Sequence, residues 1–480
     1  MKRITLVLAV VLMALPAMYA IPAPASADFR VGAAAVDVSP SKLVDLATQR
    51  VCLGGFGIGC SRPATGERET LYARAIVIES GGSKVAIATS SNIGLFAKYK
   101  DEFGPAGAYD VRLAASQATG IPSSSIMITS DHSHSSPDVE GIWGGVDPEY
   151  LRKLATGLIQ AIYEANRSLE PAELYVGAAT YEPSNPDELK NHWDGTGGVL
   201  DQIDRELRVF QARRADETVI ATLINFSPHA SVLDEESLAS GDWTGTLANN
   251  YAVEHGGVAL GMVGALGGIG ARFDEDEFDE FLVFVDGLAD RAMASATRIE
   301  TPGVAAGLTF IREPLTAPIL YAAYVPMNSQ HPANVIEASI DRSVMHPWAT
   351  GAVMGTHVSA IRVGDVLFGG TPGEAYPEIS FALSRGVTAS EHFIFGLTND
   401  QVGYLISPLE GVPTPAQNGA LYPAFGNDNW ALSVSPTIGE HVSCTLRDIA
   451  GGLGFQVEPK LERCSALTAT DGLAPPPELP

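Results

Sequence analysis

The sequence predicts a mixed α/β (α+β) protein in which a single large domain combines mixed β-sheets with flanking helices. Two observations predict this class. Short apolar runs rich in β-branched residues, bounded by glycine and proline, recur along the chain and are typical of strands. Between them, longer segments place apolar residues three and four positions apart, which is the spacing of amphipathic helices. The sequence contains no internal repeat.

Two hairpins are predicted because turn-forming residues separate adjacent apolar runs. One hairpin joins residues 72–78 to 84–88 through a Ser-Gly-Gly-Ser turn, and the other joins 358–363 to 366–369 through Gly-Asp. The remaining predicted strands are 29–38, a run beginning at 126, 174–178, 208–212, 219–226, 257–263, 304–311 and 393–397.

The strongest helix pattern begins at Asp147 and Pro148, because an acidic cap followed by proline is typical of a first helical turn. Its apolar stripe is Leu151, Leu154, Leu158, Ile159 and Ile162. Further helices are predicted at 106–118 and 281–296. From Ser407 onward the sequence predicts mostly loop.

The chain begins with the pattern of a signal peptide. Lys2 and Arg3 precede an apolar stretch that Pro16 ends, and residues 25–27 are the small residues of a cleavage site. We therefore assign residues 1–27 to the signal, 28–468 to one large domain and 469–480 to a Pro-rich disordered tail. An exported protein, secreted or periplasmic, is expected, and no stretch of the mature chain predicts a transmembrane segment.

The formal charge of −26 becomes −28 once Lys2 and Arg3 are removed. This charge argues against a nucleic acid partner and against electrostatic docking on an anionic membrane. A small molecule or a neutral lipid stays open as the substrate, and the sequence does not give the oligomeric state.

The four cysteines form two pairs that are close in sequence, Cys52 with Cys60 and Cys444 with Cys464. In an oxidising compartment such pairs are more typical of loop-closing disulfides than of metal ligands. An acidic run at residues 274–280 lacks the spacing of a calcium loop, and its position before a helix indicates complementation of the helix dipole.

The segment IMITSDHSHSSPD, residues 126–138, is a predicted strand that ends in polar residues. His132 and His134 are two positions apart, so both imidazoles can reach one metal ion. The residues alone leave a second interpretation open, a loop rich in serine and histidine whose side chains only cap backbone groups.

Four predicted strands end in residues that can bind a metal: His132, His229, Glu374 and Tyr404. Functional groups collect where the strands of an open α/β sheet finish, so we expect a metal site at the C-terminal ends of the strands. Two imidazoles, a carboxylate and a phenol suit a zinc ion that keeps one open position. Composition alone does not select these four residues.

Four motifs, in the same order, resemble those of the neutral/alkaline, non-lysosomal ceramidases. DHSHSSPD resembles the family's THTHSGPG, and FSPHASV with SGDW resembles the segment of its second histidine. GGTPGE resembles its PGE motif, and GLTNDQVGY resembles its GLxNxYxxY segment. The resemblance extends from about Val31 to Tyr404.

The resemblance implies a ceramidase-like zinc amidase that cleaves N-acylsphingosine or a related N-acyl lipid amide. It implies His132, His229, Glu374 and Tyr404 as zinc ligands, with His134 beside the metal. The chain departs from the family in three respects. The family's GDVSPN hexapeptide appears as GGIGAR at residues 267–272, and the arginine of its NRSP-like segment has no counterpart. The residues given after Tyr404 are too few for the family's immunoglobulin-like domain.

The predicted mechanism is hydrolysis by metal-activated water. His134 is the first choice for the group that takes the proton and Asp242 the second, while Tyr404 is placed to stabilise the oxyanion. A cap role for Asp242 is an equally open interpretation. Two alternatives remain: a zinc hydrolase of an ester or a non-lipid amide, and a non-catalytic exported binding protein on the same fold.

Overall fold

The computed structural model describes residues 29–40, 51–57, 59–181, 189–191, 203–234, 236–271, 273, 275–299, 308–318, 340–341, 353–406, 433–435 and 437–459. These residues form a mixed α/β fold, as the sequence predicts. The expected signal peptide, residues 1–27, and the expected tail, residues 469–480, lie outside the described residues.

The strands of the described residues follow one another along the chain as follows: β1 Phe29–Asp37, β2 Gly66–Glu67, β3 Tyr72–Ser80, β4 Ser83–Ser90, β5 Ile126–Ser130, β6 Glu170–Thr180, β7 Leu189–Asn191, β8 Glu206–Arg213, β9 Val219–Phe226, β10 Leu238–Ala239, β11 Val258–Val263, β12 Ile269–Ala271, β13 Thr297–Arg298, β14 Leu308–Pro318, β15 Ile340–Asp341, β16 Val353–Val363, β17 Val366–Gly370, β18 Glu374–Ala375, β19 Val387–Thr388, β20 Glu391–Phe395, β21 Tyr404–Leu405 and β22 Gln456–Val457. The helices are α1 Ala108–Thr119, α2 Pro148–Arg167, α3 Asp242–His255, α4 Phe278–Ala294, α5 Pro377–Gly386 and α6 Ile438–Gly452.

Two mixed sheets contain most of these strands. The larger one has the order β11-β9-β8-β6-β1-β3-β4-β5, with β13 added on β6, and the smaller one has the order β14-β16-β17-β20, with β15 added on β16. The pairs β4–β5, β9–β11 and β17–β20 are parallel, and the other pairs of these two sheets are antiparallel. Apolar side chains of both sheets form a common core, in which Phe210 lies 5.7 Å from Phe368 between ring centroids.

Both predicted hairpins are present, and each has its turn where the sequence places it. Between β3 and β4, Gly81 and Gly82 have φ angles of 57° and 83°, a region that residues with a side chain rarely occupy. The predicted start of α2 is also correct. The Asp147 side chain accepts a hydrogen bond from the Glu149 amide at 2.8 Å, and Pro148 occupies the first helical turn.

The prediction that the chain after Ser407 is mostly loop is wrong within the described residues, because α6 spans Ile438–Gly452. Its buried residues Ile438, Val442, Leu446 and Ile449 follow helical spacing, although the glycines at both ends weaken the pattern in the sequence. The strand predicted at 304–311 is present from Leu308 and continues beyond its predicted end, because β14 covers Leu308–Pro318, while residues 304–307 lie outside the described part.

Two asparagines tie the sheets together where several strands end. The Asn225 side chain donates to the carbonyl of Met262 on β11 at 3.2 Å and to that of Ile394 on β20 at 2.9 Å. Asn399 exchanges hydrogen bonds with the backbone of Ile128 on β5, at 2.6 and 3.0 Å. These bonds place the C-terminal ends of β5, β9 and β20 beside one another. In the described residues, no helix is long and apolar enough to cross a membrane.

Candidate metal centre

Three imidazoles meet at these strand ends. His132, His134 and His229 are all buried, and the nitrogens that they offer to a metal lie within 4.8 Å of one another. The Nε2 atoms of His132 and His134 are 3.1 Å apart. Glu374 completes the cluster, because its Oε2 atom lies 3.1 Å from His229 Nε2 and 3.6 Å from His132 Nε2.

His132 lies two residues after the end of β5 and has a positive φ of 60°. The preceding Asp131 stabilises this turn, since its Oδ1 atom accepts hydrogen bonds from the amides of Asn92 and Ser133, both at 3.1 Å. His132 Nδ1 lies 2.5 Å from the Ile93 carbonyl oxygen. A proton on Nδ1 makes this contact a hydrogen bond and leaves the Nε2 lone pair directed at the cluster.

His229 follows β9 and is held in a comparable way. Its Nδ1 atom lies 2.8 Å from the Ile269 carbonyl oxygen, and its backbone amide donates to the same oxygen at 2.9 Å. Trp243 Nε1 donates to the His229 carbonyl at 3.0 Å. Ile269 belongs to the glycine-rich stretch 267–271, so this stretch orients a predicted zinc ligand through its backbone.

Glu374 and Tyr404 lie opposite each other on β18 and β21. The Tyr404 ring is partly buried, and its centroid lies 6.3 Å from that of His229. Gly373 allows the two segments to approach, because a Cβ atom there would lie 2.3 Å from the Gly403 carbonyl oxygen. Gln401 donates to Glu374 Oε1 at 3.4 Å, so the other carboxylate oxygen faces the histidines.

The charges of the cluster suit a cation. Burial raises the pKa of the Glu374 carboxyl, but His132 and His229 outweigh this effect and hold the pKa well below its ordinary value. Burial, together with the neighbouring imidazoles of His132 and His229, holds the pKa of His134 well below its ordinary value. Glu374 is therefore an anion and His134 a neutral imidazole at pH 7.

His134 differs from the other two histidines in what holds its ring. Its Nδ1 atom is buried and has no hydrogen-bond partner among the described residues. The ring is instead packed against Phe56, whose centroid lies 4.9 Å away at an interplanar angle of 61°. His132 and His229 each have a carbonyl oxygen near Nδ1 that directs Nε2 toward the cluster. Among the described residues, His134 has no such bond.

Asp242 is at the first position of α3 and is fully buried. Its carboxylate accepts hydrogen bonds from the amides of Val232, Leu233 and Trp243, at 3.2, 2.9 and 2.7 Å. Burial raises the pKa of Asp242 to about 6, against the effect of these bonds. These contacts stabilise the loop that follows His229, which supports a structural role for the acid although Gly241 is the N-cap residue of α3, and the role of Asp242 as a base stays a prediction.

The donor set fits a zinc ion. Ligand atoms around a tetrahedral zinc with bonds of about 2.0–2.1 Å lie about 3.3 Å apart. The distances from Glu374 Oε2 to His229 Nε2 and His132 Nε2, 3.1 and 3.6 Å, are close to that value. One other group of described residues can hold a cation, the more exposed Glu254, His255 and Asp286.

Known structures resemble this chain in fold, whereas family models and curated sequences do not match it. No family model matches the chain, and no curated protein matches it. Among solved structures, a ceramidase complexed with C2 superimposes with a TM-score of 0.65 at 16% sequence identity. The neutral ceramidase from Pseudomonas aeruginosa gives the same values, and each match covers 91% of this chain and 77% of the other. The chain has the neutral ceramidase fold.

The predicted resemblance to the ceramidases is therefore confirmed at the level of the fold. The ceramidase fold brings together five residues that are far apart in sequence and that motifs had singled out: His132, His134, His229, Glu374 and Tyr404. The ligand roles of His132, His229, Glu374 and Tyr404, and the role of His134 beside the metal, stay predictions. Sequence reasoning missed the Ile93 and Ile269 carbonyls, Gln401 and Phe56, and a backbone carbonyl leaves no mark in a sequence.

The predicted disulfide between Cys52 and Cys60 is present. Cys444 lies on α6 and is also disulfide-bonded, whereas its predicted partner, Cys464, lies outside the described residues.

Proposed function

We propose that the protein is a zinc-dependent hydrolase that cleaves the amide bond of an N-acyl lipid, such as an N-acylsphingosine. The observation that carries the proposal is the convergence of two imidazoles and one carboxylate on a buried point of a ceramidase fold. In the proposal His132, His229, Glu374 and Tyr404 hold the ion, and residues 28–468 form the catalytic domain.

Zinc bound here supplies polarisation of the substrate carbonyl and increases the acidity of water. His132 and His229 present Nε2 to the ion, because their Nδ1 atoms face the Ile93 and Ile269 carbonyls. Glu374 supplies the negative charge that balances the cation in a buried site.

His134 takes the proton from the attacking water. Its imidazole is neutral, and its Nε2 atom lies 3.1 Å from His132 Nε2. Unlike His132, it has no backbone carbonyl bonded to Nδ1 among the described residues. The same imidazole can then pass this proton to the departing amine, which an amide requires of its leaving group. To the Tyr404 phenol we assign the stabilisation of the oxyanion, and its pairing with Glu374 supports this role. No serine acyl-enzyme is needed, since Gly270 stands where the ceramidase hexapeptide has its serine.

The lipid half of the proposal rests on the fold, while the metal cluster supports only the reaction class. The altered segment 267–272 and the missing arginine favour a substrate smaller or more polar than ceramide. The signal pattern of residues 1–27 and the Cys52–Cys60 disulfide support export to a secreted or periplasmic location.

A substrate panel tests the function. N-acylsphingosines of several chain lengths, N-acyl amino acids, anilides and p-nitrophenyl esters are assayed with the wild type and with Glu374→Ala. We expect zinc-dependent turnover of an amide that the variant loses. Turnover confined to esters would favour an esterase, and no turnover despite bound zinc would favour the binding-protein alternative.

A further inference from the structure

The rings of the three clustered histidines are not fixed by the same means. His132 and His229 each have a backbone carbonyl oxygen within 2.8 Å of Nδ1, whereas the buried Nδ1 of His134 has no partner among the described residues. An imidazole without such a bond rotates freely about its side-chain torsions unless packing prevents it. The orientation of His134 therefore depends on what packs against it.

Two residues of the loop 52–60 cover the His134 ring. Gly55 has a φ of 101°, and a Cβ atom on it would lie 2.3 Å from Cγ and 2.4 Å from Nδ1 of His134. The backbone of Gly55 thus lies directly against the imidazole at a distance that only glycine permits. Phe56 packs edge to face on the same ring, with 4.9 Å between centroids.

The loop itself is anchored on both sides. The Cys52–Cys60 disulfide closes it, and Gly54 donates to the Ser136 carbonyl at 2.9 Å. Arg62 links the loop to the histidine segment, because its guanidinium donates to the His134 carbonyl at 2.7 Å and lies 5.6 Å from the centre of the Phe56 ring. The imidazole and the backbone of His134 therefore pack together with Gly55, Phe56 and Arg62 as one group.

We propose that Gly55 and Phe56, held by the Cys52–Cys60 disulfide, are the positioning residues of His134 and fix its imidazole beside the metal centre. Gly55 and Phe56 do not orient the proposed metal ligands, because other contacts orient His132, His229 and Glu374. The effect on turnover rests on the proposed function, whereas the effect on the ring itself does not.

The first test measures the ring without any substrate. Metal-free protein is treated with diethyl pyrocarbonate, which acylates accessible imidazoles, and the modification of each histidine is followed by peptide mass spectrometry. We expect His134 to react several-fold faster in Phe56→Ala, in Gly55→Ala and in the double variant Cys52→Ser/Cys60→Ser. The rates of His132 and His229 stay as in the wild type.

Two matched variants separate positioning from general damage to the loop. Gly59 also has a positive φ, 72°, but a Cβ atom there meets nothing within 4 Å, so Gly59→Ala carries the backbone strain without touching His134. Phe56→Tyr keeps the ring edge against the imidazole. We expect both variants to leave the His134 rate unchanged.

Turnover and zinc content provide the second readout. With an amide that the wild type cleaves, we expect kcat of Phe56→Ala to fall by about 10- to 100-fold, with KM and bound zinc little changed. If no panel member is cleaved, the proposed function fails while the modification rates still decide the positioning role. An unchanged His134 rate in Phe56→Ala and the cysteine variant, or an equal increase at all three histidines, would overturn the inference.

Discussion

Glu374 and Tyr404 face each other as a residue pair in the short parallel ladder β18–β21. Paired residues of neighbouring strands send their side chains to the same side, so the ladder delivers a carboxylate and a phenol together to the histidine cluster. Two motifs that are separate in sequence thereby act as one half of the site, and the histidines of the larger sheet form the other half.

The first prediction concerns Tyr404. Tyr404→Phe removes the hydroxyl and keeps the ring, so we expect kcat to fall by roughly 10²-fold through loss of oxyanion stabilisation. Zinc affinity is expected to fall by about tenfold through loss of one ligand. Steady-state kinetics and chelator competition measure the two effects. Tyr376→Phe, which changes a neighbouring ring 6.4 Å from that of Tyr404, serves as the control.

The second prediction is one zinc ion per chain. His132→Ala and His229→Ala each remove a nitrogen ligand, and we expect elemental analysis of either purified variant to find almost no zinc. His441→Ala on α6, which lies outside the cluster, should retain the full amount. Near-stoichiometric zinc in either cluster variant would contradict the assigned ligands.

The third prediction separates metal chemistry from a serine mechanism. A chelator should abolish amide cleavage, and zinc should restore it. A serine-directed fluorophosphonate should leave the rate unchanged, because the proposed mechanism uses no serine nucleophile and the motif resemblance predicts Gly270 at the place of the hexapeptide serine. Stable labelling of one serine together with loss of activity would refute this mechanism.

The fourth prediction is a dependence of stability on pH that arises away from the metal. Burial, with Arg312 and Arg112 nearby, lowers the pKa of His357 to about 4. A histidine with a lowered pKa in the folded state contributes stability above pH 6.5, and that stability is lost as pH falls from 6.5 to 4. We expect metal-free His357→Gln to lose less stability than the wild type over this interval, as measured by urea unfolding. Equal losses would show that His357 is not responsible.

The fifth prediction concerns Asp242. Asp242→Ala leaves three buried amides without their acceptor, so the free energy of unfolding should fall by about 3 kcal/mol. Urea unfolding measures the loss. Full stability with complete loss of turnover would instead support the catalytic role that the sequence left open for this residue.

Local patterns in the sequence predicted the fold class, both hairpins and the start of α2, because turn residues, caps and apolar spacing act over short distances. The five clustered residues came from motif resemblance, since their proximity depends on contacts such as those of Asn225 and Asn399 between the sheets. Helix α6 was missed because glycine lowers helix propensity, although Gly439 is needed where a Cβ atom would lie 2.6 Å from the Leu405 carbonyl oxygen.

The division of the site between the larger sheet and the ladder β18–β21 has a consequence for biosynthesis. A nascent chain carries both histidine motifs long before Glu374 and Tyr404 leave the ribosome, and contacts between such distant segments form slowly. Capture of the proposed zinc ion at full affinity must therefore wait until the ladder β18–β21 has docked beside the larger sheet. Zinc would then bind fully only to chains that have completed folding. The free energy of unfolding of these chains would increase with the concentration of free zinc.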